Sequence, residues 1–515
     1  MPAADRSTIG SDVLASIVVF LVALPLCMGI SLASGMPPTA GIITGIIGGI
    51  VVGVIAGSPL QVSGPAAGLA VLVFQYVKEF GPEMLGTIVL FAGAIQIVAG
   101  LLKLGQWFRA VSPAVIHGML AGIGILIFAA QFHVMLDNKP IGNGIENLLG
   151  IPGAVMDAIR AHDSHLKAGE VGALTIAAIF AWAGLAPKSL KVIPAPLVGV
   201  LVGMAAAALF HLDDIKYVSV PDNIWSTVIF PTADTVSKFF ASPHAIVGAF
   251  AIAFIASAET LLCATAVDQM HSGARTKYDR ELSSQGIGNM ICGALGVLPM
   301  TGVIVRSGAN VEAGAKTRLS AILHGVWILL FASLLPWTLA YVPLSALAAV
   351  LVFTGYKLAY PKVVPSLIKF GYAKVFIYAT TVVMIVTTDL LKGVLTGVAL
   401  SLARVFYALS RLDIRKEEGP DKEVRLFLDG TATVVGLPKL AQALEELPAG
   451  SKVHVHIADL NYIDHACLDL LTNWDKQHRT TGGSLTIEWD ELAQKYHERH
   501  GTAAASPAAK AAATA

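Results

Sequence analysis

From Val13 to Val77 the chain contains no Asp, Glu, Lys or Arg. One spanning helix needs only about 20 apolar residues, so a stretch this long, punctuated by Gly and Pro, predicts several closely spaced membrane spans. Apolar runs bounded by Gly, Pro and charge predict fourteen helices in all. They lie near 11–33, 38–57, 65–77, 84–104, 112–135, 171–187, 192–211, 244–268, 282–298, 306–316, 319–338, 343–357, 373–390 and 392–410. The third and tenth are too short to cross roughly 30 Å of hydrocarbon at about 1.5 Å per residue, and they read as half-helices. Beyond about residue 423 the period changes to two. Val424, Leu426 and Leu428, then Val453, Val455 and Ile457, then Leu485, Ile487 and Trp489 alternate with other residues, and 437–447 and 466–478 read as helices. That pattern predicts a small α/β domain. The expected layout is a transmembrane part over 1–410, a linker over 411–422, an α/β domain over 423–501 and a disordered Ala-rich tail over 502–515.

Composition agrees. The chain is 55% hydrophobic and 14% charged, where a soluble protein carries about a quarter charged residues. Of 70 charged side chains, 28 fall after residue 410, which separates the polar tail from the apolar body. The 35 basic and 35 acidic residues cancel, leaving no net field to attract nucleic acid, and no nucleic-acid partner is expected. Cys27, Cys263, Cys292 and Cys467 show no paired spacing; this excludes a disulfide framework and a four-Cys zinc site, and they read as small packed residues. No basic region precedes the first apolar segment, so no cleaved leader is expected. An even helix number puts both termini on one side. Lys103 and Arg109, Lys188 and Lys191, Arg275, Lys277 and Arg280, Lys316 and Arg318, and Lys357, Lys362, Lys369 and Lys374 fall in alternate loops, which makes that side cytoplasmic.

Shifting the sequence by 240 positions superposes Gly48 on Gly288, Gly53 on Gly293, Pro59 on Pro299 and Gly68 on Gly308. Seven helices separate the copies, and an odd number inverts the second. Inverted repeats interrupted at matching positions point to a secondary transporter with its site near the membrane midplane. The interrupted segments are SGPAAGLAV (Ser63 to Val71) and TGVIVRSGANVEAGAKT (Thr301 to Thr317). Each half-helix start presents N–H groups without intrahelical partners and about half a positive charge, so two facing starts make an anion site. Arg306 adds a full positive charge there, and an intramembrane charge is functional by default. The alternative is that Arg306 snorkels to the interface or pairs with Glu312. Glu259 is the other isolated charge, deep in the eighth helix. It reads either as a proton or coupling-ion site, its protonation set by what lies near it, or as a static partner of Arg306.

These residues resemble the SulP/SLC26 anion transporter family. PLCMGIS (Pro25 to Ser31) with Pro37-Pro38, and the two interrupted segments, are similar to that family's first, third and tenth helices. The resemblance implies an α-helical membrane protein of fourteen segments in a seven-plus-seven inverted repeat, with core and gate domains of UraA-like architecture and a cytoplasmic STAS-like domain. It also implies a homodimer in the plasma (bacterial inner) membrane. Carried over by position, it places substrate near Ala66, Ala67, Gly68, Arg306, Ser307 and Gly308, with Leu26 and Cys27 contributing from the first helix. Many members carry Gln where Leu26 stands and Ser where Val305 stands, which leaves recognition more to backbone N–H groups. Sodium-coupled bicarbonate members use an Asp with nearby Thr side chains, whereas this chain offers Glu259, Cys263 and Ile304; that set is poor in hard oxygen ligands and favours a proton. In the tail, YIDHACLDLL (Tyr462 to Leu471) resembles the STAS strand-to-helix turn, with His465 where anti-sigma antagonists carry a phosphorylatable Ser.

The function expected is secondary active, elevator-type transport of a small oxyanion, such as bicarbonate, sulfate or a dicarboxylate, coupled to protons and without a cofactor. The alternatives are a sodium-coupled bicarbonate transporter, a nucleobase carrier and a non-transporting membrane receptor. A neutral base gains little from Arg306. No enzyme is expected, since no nucleophile, base and orienting group share a recognisable spacing. Gly308 to Lys316 fails the phosphate-loop spacing, and His454 and His456 lack a third metal ligand nearby.

Overall fold

A computed structural model describes residues 6–487 except 109–111, 162–163, 188–189, 191–192, 220–222, 361–362, 421–422 and 458–459. The Ala-rich stretch 502–515, the strand end at Trp489 and the loop cations Arg109, Lys188, Lys191 and Lys362 lie outside the described residues. The chain forms two compact units, Met1–Val398 and Ala399–Ala515.

The first half of the membrane part runs through α1 (Arg6–Ala33), α2 (Pro38–Ile47), α3 (Gly53–Ile55), β1 (Ser63–Pro65), α4 (Ala70–Phe80), α5 (Pro82–Leu101), α6 (Gly105–Phe108), α7 (Pro113–Met135), α8 (Gly144–Ala161), α9 (Ser164–Leu185) and α10 (Ala195–Leu209). A π-helical turn over Gly48–Val52 joins α2 to α3, and a 3₁₀ turn over Ala67–Leu69 leads into α4. The second half runs through α11 (Ala233–Ala241), α12 (Pro243–Met270), α13 (Tyr278–Ala294), β2 (Met300–Gly302), α14 (Ile304–Glu312), α15 (Leu319–Leu334), α16 (Leu344–Ala359), α17 (Val364–Lys369), α18 (Tyr372–Thr387) and α19 (Leu390–Leu409). Every predicted span has a counterpart, giving fourteen segments in a seven-plus-seven inverted repeat. Among the described residues, eight helices are long and apolar enough to cross a membrane, and α10, α15 and α18 are shorter apolar helices. The remaining three are the half-helices α4 and α14 and the polar α13. The chain is an α-helical integral membrane protein.

The helix α8 was not anticipated. Its apolar residues are interrupted by Glu146, Pro152, Asp157 and Arg160, which hides an amphipathic helix from a search for uninterrupted apolar runs. Its start is fixed by Asn147, whose Oδ1 accepts the Ile141 N–H at 2.8 Å while its carbonyl lies 2.9 Å from His133 Nε2.

Close helix packing on small residues organises the membrane part. On α5, Gly86, Gly93 and Gly100 recur every seven residues and face Gly293, Gly286 and Ser283 of α13 in turn. A Cβ added at Gly93 would sit 2.5 Å from the Met290 nitrogen, and one at Gly293 would sit 2.2 Å from the Leu90 nitrogen. Without a hydrophobic drive between helices in lipid, such backbone-to-backbone contact supplies the dispersion energy of association.

The C-terminal unit contains β3 (Leu412–Glu418), β4 (Glu423–Ala432), α20 (Leu437–Glu445), β5 (Lys452–His456), β6 (Leu460–Ile463), α21 (His465–Arg479) and β7 (Ser484–Ile487). The sheet order is β3-β4-β5-β7, with β6 pairing β4. The expected linker over 411–422 is thereby corrected: Leu412 to Glu418 form an edge strand antiparallel to β4. Charged residues from Arg415 to Glu418 obscured its alternation, as is common at sheet edges. The boundary between compact units falls within α19, at Val398, rather than at residue 410. Leu426, Leu428, Val453, Val455, Leu440 and Leu471 form the core of this unit. Asp464 caps α21, its Oδ1 accepting the Cys467 N–H at 2.9 Å. Burial, reinforced by Asp464, pushes the Cys467 thiol up to about 12, consistent with a packing role.

Gly293→Ala forces α5 and α13 apart and should destabilise the membrane part by about 1–3 kcal/mol. Gly184→Ala, at a site with nothing within 4 Å of the added carbon, should be neutral. Thermal unfolding of both detergent-solubilised variants checks the difference.

A candidate anion site where two broken helices meet

Between α3 and α4, and again between α13 and α14, the helical path gives way to three extended residues. These pair with each other as an antiparallel ladder, Ser63 with Gly302, Gly64 with Thr301 and Pro65 with Met300. The pairing satisfies backbone groups that lipid cannot hydrogen-bond, and it places the starts of the two half-helices at one crossing. The Val303 N–H donates to the Val62 carbonyl at 2.9 Å. The Gly302 N–H donates to Thr260 Oγ1 at 3.1 Å, which ties the crossing to α12.

The expected site residues divide into three groups. Ala66, Ala67 and Gly68 occupy the cap and 3₁₀ turn ahead of α4, with Ala66 and Gly68 buried and Ala67 half-buried. The first-turn N–H groups here and at Ile304, Val305 and Arg306 of α14 have no intrahelical acceptor. Leu26 and Gly308 line a cavity of about 750 Å³ between α1, α14 and α16, into which Val305 also projects. Cys27, Arg306 and Ser307 do not line this cavity. The hydroxyl of Ser307, a residue expected near the substrate, donates to the Val303 carbonyl at 2.7 Å and accepts the Val62 N–H at 2.9 Å.

Arg306 is fully buried, and its three guanidinium nitrogens have no hydrogen-bond partner among the described residues. Being fully buried, it does not snorkel to an interface, and among the described residues it pairs with neither Glu312 nor Glu259. The side chain turns behind the half-helix starts, packed against Gly64 and beside Cys27 and His324. A Cβ at Gly64 would sit 2.1 Å from Nη1, so a side chain there would displace the guanidinium from its present place. A cation held there unpaired costs about 2.5–3.5 kcal/mol on insertion scales. Its field is directed at whatever negative charge enters next to it.

Glu259 is half-buried on α12, with its Oε2 buried and without a hydrogen-bond partner. A Cβ at Gly68 would lie 2.7 Å from that oxygen, which puts the carboxyl against the start of α4. The Thr301 hydroxyl lies beside it and has no other partner among the described residues. Glu281 of α13 is the contrasting case. It is fully buried, but Oε2 accepts the Gly57 and Ser58 N–H groups at 2.7 and 2.8 Å, and Gln285 donates to Oε1 at 3.0 Å.

Two features of the site are not legible in the sequence. Lys357, counted among the loop cations, lines the cavity together with Glu312. The polar face of α13, Glu281, Gln285 and Asn289, faces the crossing; its spacing of four was visible, but its partners are far away in sequence.

Comparison with known proteins agrees with this architecture. The chain is 31% identical over 409 residues to the putative sulfate transporter YvdB of Bacillus subtilis, covering 77% of this chain and 73% of that protein. It is 23% identical over 356 residues to the bicarbonate transporter BicA of Picosynechococcus, covering 66% of this chain and 60% of that one. Among solved structures, the transmembrane domain of a cyanobacterium bicarbonate transporter BicA superposes with a TM-score of 0.67 at 22% identity, over 76% of this chain and 98% of that one. The overall structure of SLC26A9 gives 0.74 at 13% identity, over 98% and 89%, so the likeness extends through the C-terminal α/β unit. The sequence profile of the sulfate permease family matches residues 9–381, and with that match the chain belongs to the sulfate permease family.

Proposed function

We propose that this protein carries a small oxyanion, such as sulfate, bicarbonate or a dicarboxylate, across the membrane, binding it between the starts of α4 and α14. The observation that carries this reading is the β1–β2 crossing, which brings two helix starts together in front of a fully buried guanidinium with no hydrogen-bond partner among the described residues. Backbone N–H groups near Ala67, Gly68 and Val305 contact the anion, and Arg306 attracts it from behind. Leu26 and Gly308 lie on the access path through the cavity. Transport follows an elevator: the helices that carry the crossing slide against α7, α9, α10, α16, α18 and α19. Both termini face the cytoplasm, the membrane is a bacterial inner membrane, and the protein works as a homodimer with its STAS-like unit inside.

Glu259 is the coupling residue in this reading. When ionised it opposes an anion bound beside Gly68, and when protonated it does not. Uptake therefore rises as the side from which the anion enters becomes acidic. A second reading has support from Thr301: its hydroxyl, beside Glu259 and without another hydrogen-bond partner among the described residues, is a hard oxygen ligand that a sodium ion would accept. Accumulation in proteoliposomes under separate proton and sodium gradients decides between the two.

Arg306→Ala should weaken anion binding by about 10- to 100-fold, the loss of one unit charge acting through an effective dielectric near 20. Arg306→Lys should retain part of the affinity, because charge survives without the guanidinium geometry. Calorimetric titration with sulfate and bicarbonate checks both; unchanged affinity in both variants overturns the assignment.

Glu259→Gln mimics the protonated carboxyl. It should bind anion and exchange anion for anion, yet lose accumulation driven by an imposed pH gradient. Full proton-driven accumulation in this variant would place the coupling group elsewhere.

A further inference from the structure

Inside a membrane protein, a helix with a continuous polar face must hold something with it. On α13 that face is Glu281, Gln285 and Asn289, spaced by four and all fully buried. Glu281 holds the turn at Gly57 and Ser58 that follows α3. Gln285 Nε2 donates to Ser63 Oγ at 2.5 Å, within β1. Asn289 accepts the Met300 N–H at 2.7 Å and donates to the Met300 carbonyl at 3.1 Å, within β2. This two-way exchange is what a neighbouring strand would supply. It occurs on the outer edge of β2, where the alternation of the ladder turns the Met300 N–H and carbonyl away from β1.

Asn289 is itself oriented. Its Nδ2 donates to Gln96 Oε1 of α5 at 2.7 Å, Gln96 Nε2 donates to Ser257 Oγ at 3.1 Å, and Ser257 Oγ donates to the Ala253 carbonyl at 2.6 Å. Ser257 stands two residues before Glu259 on α12. A continuous hydrogen-bond chain thus runs from the strand that launches α14 to the helix that carries the isolated carboxyl.

We propose that Asn289, held by Gln96, is a positioning residue for the anion site: it fixes β2 and thereby the place of the α14 start opposite the α4 start. This rests on the anion binding between those two starts. Anion affinity falls steeply when converging donors shift, because each contact depends on distance and direction.

The test compares full-length Asn289→Ala, Gln96→Leu and Gly393→Ala with wild type, measuring sulfate, bicarbonate and succinate affinity by calorimetry and thermal stability in anion-free buffer. Asn289→Ala should weaken anion binding by about tenfold, and Gln96→Leu, which leaves the Met300 bonds but frees the amide, by about threefold. Gly393→Ala crowds Ile385 of α18, where an added Cβ would sit 2.7 Å from the Ile385 nitrogen; it lowers stability through helix packing remote from α5 and α13 and should leave affinity unchanged, so it separates positioning from general loosening. Should Asn289→Ala fail to fold, Gln96→Leu carries the comparison. Wild-type affinity in the folded Asn289 and Gln96 variants, or an equal loss in Gly393→Ala, overturns the inference. Wild-type protein that binds none of the three anions overturns the anion-site reading itself, and this inference with it.

Discussion

Hydrocarbon offers no hydrogen bonds, so a helix that stops halfway through a membrane must find partners for its last carbonyls, its first N–H groups and the extended residues between. Here each interruption is the other's partner. Three residues from each half of the chain pair across the pseudo-symmetric crossing, and the groups left over are taken up by side chains. Arg280 and Ser284 reach the Ile55 carbonyl and Arg318 reaches that of Val54, closing the end of α3. Asn310 donates to the Leu60 carbonyl. The first-turn N–H groups of the two half-helices have no intrahelical acceptor, and they are the part a ligand can use.

The distribution of buried charge follows the same division. Asp12 accepts the Lys316 and Thr317 N–H groups at 2.7 and 3.0 Å and the Thr317 hydroxyl at 2.6 Å, locking α1 to the loop after α14. Glu281 is similarly satisfied. Both carboxylates act as fixed pieces of scaffold, with every bond they make directed at backbone or a neighbouring side chain. Arg306 and Glu259 differ in kind, since each has a buried polar atom with no hydrogen-bond partner among the described residues. Retaining such groups against their cost is the expected signature of a site rather than of a core.

Spans and half-helices were legible because length and apolar continuity are one-dimensional properties. The alternation in the tail was legible for the same reason, except in β3, where Lys416, Glu417 and Glu418 overrode it. The helix α8 escaped because its charges broke the run. At the site, sequence placed Arg306 in the first turn of α14 but not the direction of its side chain: the turn behind the helix start depends on the space left by Gly64, some 240 positions earlier. The engagement of the Ser307 hydroxyl was hidden on similar grounds, since its partners, Val62 and Val303, flank the two strands of the crossing. The α13 stripe was visible as a spacing, yet only the fold shows that Ser63 and Met300 lie under it.

The pairing of residues 63–65 with 300–302 also bears on how the protein is made. At roughly 5–20 residues per second, the ribosome takes about 10–50 seconds to deliver the second strand after the first. Throughout that interval the first half of the chain holds an interrupted helix whose extended backbone has no strand to pair with. It cannot complete its fold in the bilayer one helix at a time; this half must wait at the translocon or in a wet, provisional arrangement until the second arrives. Biogenesis of this protein is therefore late and cooperative, and the segment most exposed to quality control before completion is the same one that later meets the anion.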